Sequence, residues 1–188
     1  MLILASQSPR RKEILENAGI PFLVRVADID ESVRSGESPN SYVRRLATSK
    51  AMAVTREPGD VILAADTTVV IAGQILGKPE NAEDAKRMLR LLSGESHEVL
   101  TGICIFSGSK LQIDAESTIV HVSKLSEEEI ESYVSSGQPM DKAGAYGIQG
   151  LASKYIQRVE GCYFNVVGLP ISLVYRHLKA AGVIPESA

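Results

Sequence analysis

The sequence predicts a mixed α/β protein whose sheet is mixed and partly antiparallel, with flanking helices. Three observations point there. Strand-like and helix-like periods alternate along the whole chain. Val61-Ile62-Leu63-Ala64-Ala65 is an unbroken apolar run, as expected of a strand covered on both faces. Two long β-like stretches, about His97 to Phe106 and Leu111 to Ser123, flank Ser107-Gly108-Ser109-Lys110 and read as a hairpin.

The elements follow in order. Leu2 to Ala5 is a short apolar strand. Ser8 can cap a helix that has Pro9 at its first position and runs through Ile14 and Leu15 to a stop at Gly19 and Pro21. Phe22 to Val26 reads as a strand, and residues 27–37 as a polar loop. Ser38-Pro39 opens a second helix with Val43, Leu46, Ala47, Ala51 and Val54 on one stripe. After the strand at Val61, Thr67 to Ala72 continues extended towards a turn at Gly73-Gln74. Asn81 caps a third helix whose apolar face is Ala85, Met88, Leu89 and Leu92. Ser126 and Glu129 form a capping box, with acids through the first turn. A glycine-punctuated loop, a strand near Tyr155 to Val159 and a last helix from Pro170 to Ala181 complete the chain. There is no internal repeat and no long linker, so residues 1–188 are expected to form one domain.

Composition narrows the function classes. The chain carries 20 Lys and Arg against 23 Asp and Glu, a net charge of −3. That balance offers no footprint for long nucleic acid, and no stable nucleic-acid partner is expected. No apolar run reaches the length of a bilayer span, and Leu2 to Ala5 is too short for a signal-peptide core, so no membrane partner and a cytoplasmic location are expected. Cys104 and Cys162 lie far apart, and Cys104 sits in a strand-like run as a small core residue. His97, His121 and His177 lack metal-ligand spacing and read as ordinary polar positions. No GxSxG elbow is present.

Functional sites are where a chain breaks its own local rules. A helix N-terminus favours acids, yet Arg10 and Arg11 occupy the first turn after Ser8-Pro9. A bound phosphate reverses that penalty, through free N–H groups and two guanidinium forks; otherwise the pair is simply solvated. Lys50 falls inside the apolar stripe of its helix, where a lysine snorkels, pairs with an acid or lines a polar cleft. Asp66 follows a buried strand at the carboxyl end where open α/β sheets place ligands, and it can serve as a general base, a metal ligand or a turn cap. Lys78 ends Gly73-x-x-x-Gly77-Lys78, which resembles a phosphate-binding loop but is one residue short and has Pro79 where Ser or Thr would hold a metal. Asp28, Asp30 and Glu31 cluster in one loop, and Mg²⁺ typically takes one or two carboxylates plus substrate phosphates. Gln149 sits in the glycine-rich stretch Gly144 to Gly150 and can present an amide to a base edge.

Together these segments resemble the Maf-like nucleoside triphosphate pyrophosphatases, a family once named for septum formation. The matching pieces are Ser6-x-Ser8-Pro9-Arg10-Arg11, Asp30-Glu31, Lys50-Ala51, Ala65-Asp66-Thr67-x-Val69, Leu76-Gly77-Lys78-Pro79, His97-x-Val99-x-Thr101-Gly102, Asp141 to Gly150 and Asn165 to Pro170. They cover nearly the whole chain. The resemblance implies two lobes around a central cleft, as in Maf and ITPase folds, a homodimer, and a divalent cation, Mg²⁺ or Mn²⁺. It implies hydrolysis of a small-molecule nucleoside triphosphate to the monophosphate and pyrophosphate, by water attack at the α-phosphorus.

Carried over by position, Asp66 is the proton acceptor. Lys50, Lys78 and Glu31 join it in the catalytic set, and Ser8, Arg10, Arg11, Thr67 and Gln149 form the substrate-binding and selectivity set. Glu31 and Asp66 are the metal candidates. Gly147-Ile148-Gln149-Gly150 with Asn165 to Pro170 is similar to the branch acting on dTTP, UTP and modified pyrimidine nucleotides; a sister branch acts on 7-methyl-GTP. Val122 departs from the aromatic often found at its position in the family. A non-catalytic nucleotide-binding module linked to septum formation is the other reading compatible with these residues.

Overall fold

The computed structural model describes residues 1–184, which divide into two compact units. The first comprises residues 1–66, 101–116 and the chain from Gly168 onwards; the second comprises residues 67–100 and 117–167. The fold is mixed α/β with parallel and antiparallel strand pairs, as the apolar runs and the hairpin require.

In the first unit, β1 (Leu2–Leu4) pairs in parallel with β2 (Leu23–Val24) and with β3 (Val61–Ile71), in the register Leu2 to Val61 and Leu4 to Leu63. Parallel neighbours need crossovers, supplied by α1 (Pro9–Asn17) and α2 (Pro39–Ala53). The core behind them gathers Ile3, Ala5, Ala47, Ala51, Val54, Ile62, Ala64 and Cys104, so Cys104 is the small core residue expected. Small residues on α2 and the strands let the layers approach closely. At Gly102, on β5 (Ser96–Ser107), an added Cβ would run into the main-chain carbonyl of Val43 on α2.

In the second unit, β3 turns through Ala72 and Gly73, both at positive φ, into β4 (Gln74–Leu76), a short antiparallel strand not expected from the sequence. The turn sits one residue earlier than expected. It matches the two-residue type I′ hairpins, which need positive φ at both centres. Helix α3 (Ala82–Leu92) is capped by Asn81, whose side chain accepts from Asp84 N at 2.9 Å. Helix α4 (Glu127–Ser135) carries the full Ser126/Glu129 capping box. Their apolar faces, with Met88, Leu92, Ile130 and Tyr133, close on Val69, Val99, Val120 and Tyr155. β6 (Lys110–Val122) pairs antiparallel with β7 (Ile156–Glu160).

Three expectations change. The strand expected over Phe22 to Val26 shrinks to two residues, both exposed, because it is an edge with one neighbour. The glycine-rich region holds three 3-10 turns, Gln138–Asp141, Ala143–Ala145 and Leu151–Tyr155, where plain loop was expected. A short helix α5 (Tyr163–Val167) precedes α6 (Ile171–Ala180); five residues are too few to show a helical period. Among the described residues no helix is long and apolar enough to cross a membrane.

Candidate functional site

Asp66 lies within β3 rather than at its end: the apolar run and Thr67 to Ile71 are one eleven-residue strand. This corrects the expected placement. Strand hydrogen bonding continues past the carboxylate because Thr68, Val69 and Val70 are themselves buried. Asp66 is 7% exposed, an unusual place for a carboxylate without a partner.

The partner is Lys50. From the last turn of α2 its ammonium reaches Asp66 Oδ1 at 2.6 Å and Glu31 Oε1 at 2.7 Å. Of the fates open to a lysine in an apolar stripe, the structure selects pairing. Glu31 is the wetter end of this triad, with half its side chain exposed. Tyr42, on the same helix, donates from its hydroxyl to the Glu31 main-chain carbonyl at 3.0 Å and so holds the loop that carries the acid.

The electrostatics follow from burial. Desolvation pushes the Asp66 carboxyl above its ordinary value, against the downward pull of Lys50 and Arg11, and Glu31 adds to the rise. The Tyr42 phenol is pushed up to about 12, first by burial and then by Asp66 and Glu31.

At the start of α1 the expectation is partly corrected. Ser8 stands at the N-cap but its side chain makes no capping bond; instead Ser6 Oγ accepts from Ser8 N at 3.3 Å. Arg11 is buried. Its Nε donates to the Gly168 carbonyl at 2.8 Å and its Nη1 to Ser6 Oγ at 3.0 Å. Burial lowers its pKa, with Asp66 the largest opposing influence. Arg11 is thus an internal strut close enough to feel Asp66, while Arg10 is the half-buried member of the pair. No local signal marks Ser6 and the Gly168 carbonyl as the strut's acceptors, since neither a hydroxyl nor a main-chain oxygen announces its partner in sequence.

The acidic loop is also corrected as a cluster. Asp30 turns back to accept from Ser32 N at 2.9 Å, Glu31 turns to Lys50, and Asp28 is exposed. No group of three or more His, Cys, Asp or Glu that could hold a metal gathers among the described residues. What remains is the Asp66–Glu31 pair, a donor set of two carboxylates that fits a hard cation completing its shell with phosphate oxygens.

Thr67, Lys78 and Gln149 belong to the second unit. Thr67 is half-buried on β3; Lys78 and Gln149 are exposed. The Gly77 carbonyl accepts from Gly144 N at 3.0 Å, which ties the Lys78 segment to the glycine-rich segment that carries Gln149. His97, expected as an ordinary polar position, is not one. It is 3% exposed and its Nε2 lies 2.7 Å from the Tyr146 hydroxyl. His121 and His177 do behave as ordinary polar residues, facing Glu160 and Asp114 at 2.7 and 3.0 Å.

The dTTP/UTP pyrophosphatase of Anaeromyxobacter dehalogenans is 52% identical over 185 residues, covering 96% of this chain and 94% of that protein. The dTTP/UTP pyrophosphatase of Koribacter versatilis is 50% identical over 184 residues, covering 97% and 95%. A protein of the same name from Bacillus cereus is 50% identical over 179 residues, covering 95% and 94%. The solved structure of the Staphylococcus aureus Ham1 protein superposes with a TM-score of 0.51 at 11% identity, over 95% of this chain and 98% of that one, a likeness of fold alone. Residues 1–181 match the family described as Maf-like protein, and the chain belongs to that family.

Proposed function

We propose that this protein is a nucleoside triphosphate pyrophosphatase acting on dTTP and UTP, and on modified pyrimidine nucleotides, as a single domain within the cytoplasm. The observation that carries the reading is the buried carboxylate of Asp66, held by Lys50 and flanked by Glu31. Relatives that share half their residues over nearly the whole chain and bear that activity in their names support the substrate class.

In the proposed reaction, water attacks the α-phosphorus. A P–O bond forms to the water oxygen, the bond to the bridging oxygen breaks, and pyrophosphate leaves. Asp66 accepts the proton from the attacking water. Burial favours this role by raising the proton affinity of its carboxylate. Lys50 and Lys78 offset negative charge on the phosphates, where most of the catalysis of phosphoryl transfer lies. Arg10 grips the triphosphate from the first turn of α1, where the positive end of the helix dipole favours an anion. Arg11 holds that turn in place through Ser6 and Gly168. Thr67 and Gln149 contribute to nucleotide choice, Gln149 through an exposed amide that can both donate to and accept from a base edge. Glu31 and Asp66 would hold a Mg²⁺ or Mn²⁺ ion, which supplies charge neutralisation of the phosphates when bound.

Pyrophosphate release across a panel of dTTP, UTP, dCTP, ATP and 7-methyl-GTP, with and without a chelator, tests the reading. Turnover of dTTP and UTP that stops on chelation is expected. Preference for 7-methyl-GTP, or tight binding of every nucleotide without turnover, would overturn it. The homodimer implied by the family resemblance is checked by sedimentation of the intact chain.

A further inference from the structure

The second unit contains a buried polar pair that the chemistry above does not use. His97 on β5 and Tyr146 are 3% and 8% exposed, yet their ring centroids lie 5.2 Å apart, edge to face at 82°. The His97 Nε2 to Tyr146 hydroxyl distance is 2.7 Å. Tyr146 belongs to the same apolar core as Val69, Leu92, Val99, Val120 and Tyr155, where an apolar side chain would pack without any desolvation penalty. A hydrogen bond chosen over simple packing fixes one orientation of the ring and of the chain it belongs to.

That chain is the glycine-rich segment, and it is held at successive points. Gly144 adopts φ +68°, and a Cβ there would meet the side chain of Val69 at 2.8 Å. Ala145, fully buried, takes φ +59°, a conformation non-glycine residues rarely adopt. Tyr146 is bonded to His97. Gly147 N donates to the Tyr133 hydroxyl at 3.3 Å. Gln138 Oε1 accepts from Leu151 N at 3.2 Å on the far side. Between these anchors lies Gln149, exposed, three residues beyond Tyr146.

We infer that His97 and Tyr146 are positioning residues for nucleotide binding: their buried hydrogen bond locks the glycine-rich segment so that the Gln149 amide is presented in one geometry to the nucleobase. The inference rests on the function proposed above. Burial keeps His97 uncharged at neutral pH, with a pKa pulled down to about 4 and a lesser push from His121, so the lock is a neutral hydrogen bond across the working range. Removing it leaves the segment attached by its other anchors but free to re-aim its tip.

The test compares the wild-type chain with Tyr146→Phe, His97→Leu, His97→Gln and the Tyr146→Phe/His97→Leu double variant. Two readouts are used: KM and kcat for pyrophosphate release from dTTP, and Kd for a non-hydrolysable α,β-imido analogue of dUTP. Tyr146→Phe removes one oxygen atom and keeps the ring, so folding is preserved. KM and Kd are expected to rise about tenfold, the scale of one hydrogen bond's worth of order, with kcat within about threefold. His97→Gln, which can still reach the hydroxyl, recovers part of the affinity, and the double variant is no worse than either single one. Unchanged Kd in both Tyr146→Phe and His97→Leu would overturn the inference. So would a loss of folded protein with Kd unchanged in the folded fraction, which marks a purely structural pair. Because Kd does not depend on turnover, these outcomes are distinct from a wild-type chain that releases no pyrophosphate, which sinks the proposed activity instead.

Discussion

The Lys50 ammonium stands 2.6 Å from Asp66 Oδ1, reaching it from within the apolar stripe of its own helix. A lysine in that stripe is tolerated because the carboxylate it meets is itself buried, and Glu31 closes the group from the solvent side. The burial of the carboxylate and the partial burial of the ammonium are each offset by the opposite charge, so removing either has consequences that removing both does not.

Lys50→Met should destabilise the fold by about 3 kcal/mol, since it leaves a buried carboxylate without its cation. Adding Asp66→Asn to Lys50→Met should recover most of that loss. Urea unfolding of the two single variants and the double variant measures the coupling, and strictly additive effects would mean that the pair is not a unit.

Asp66→Asn alone should lower the rate of pyrophosphate release by about 10²-fold or more, on the scale of losing one preorganised polar group. Its thermal midpoint should also fall, though less than that of Lys50→Met, because Glu31 still pairs the ammonium left behind. Near-normal turnover by a folded Asn variant would remove Asp66 from the chemistry.

Arg11→Lys should cost about 1–3 kcal/mol of stability, because lysine has no fork to serve the Gly168 carbonyl and Ser6 Oγ together. Arg10→Lys should leave stability within about 0.5 kcal/mol and raise KM, because Arg10 is the member of the pair assigned to the anion. Equal thermal midpoints for the two variants would contradict the division of labour between them.

His97 gives a signed pH dependence. Its folded pKa of about 4 lies below the ordinary 6.5, so between those values the unfolded chain binds a proton that the native one refuses. Stability contributed by the neutral imidazole is therefore complete above about pH 6.5 and lost as pH falls towards 4, by about 3 kcal/mol in all. His97→Gln cannot titrate. Denaturant unfolding at pH 7.5 and 4.5 should show a smaller difference for the variant than for the wild type, and equal differences would refute the assignment.

Gly102→Ala should destabilise by about 3 kcal/mol, because the new methyl meets a main-chain carbonyl on α2 that cannot swing aside. Gly77→Ala, where a Cβ meets nothing within 4 Å, is the matched control and should leave the thermal midpoint nearly unchanged. A Gly102→Ala midpoint as high as the control's would mean that α2 and β5 separate easily.

Much of the fold is legible in the sequence because its cues are local. The period of 3.6 marked α2 and α3, the unbroken run at Val61 marked a strand covered on both faces, and Asn81 and Ser126 announced their helices with side chains that act within three residues. The wrong charge of Arg10 and Arg11 at a helix start and the misplaced Lys50 were equally visible, since each violates a rule stated along the chain. The sequence by itself thus determined the class, most elements and which residues are costly where they stand. Which partners relieve that cost was decided only by tertiary structure. Lys50 meets Asp66 16 positions away, Arg11 meets Gly168 at 157, and His97 meets Tyr146 at 49. A hydrogen bond or ion pair depends on ångström-scale distance, and spacing along the chain sets that distance only within a single helix, strand or turn.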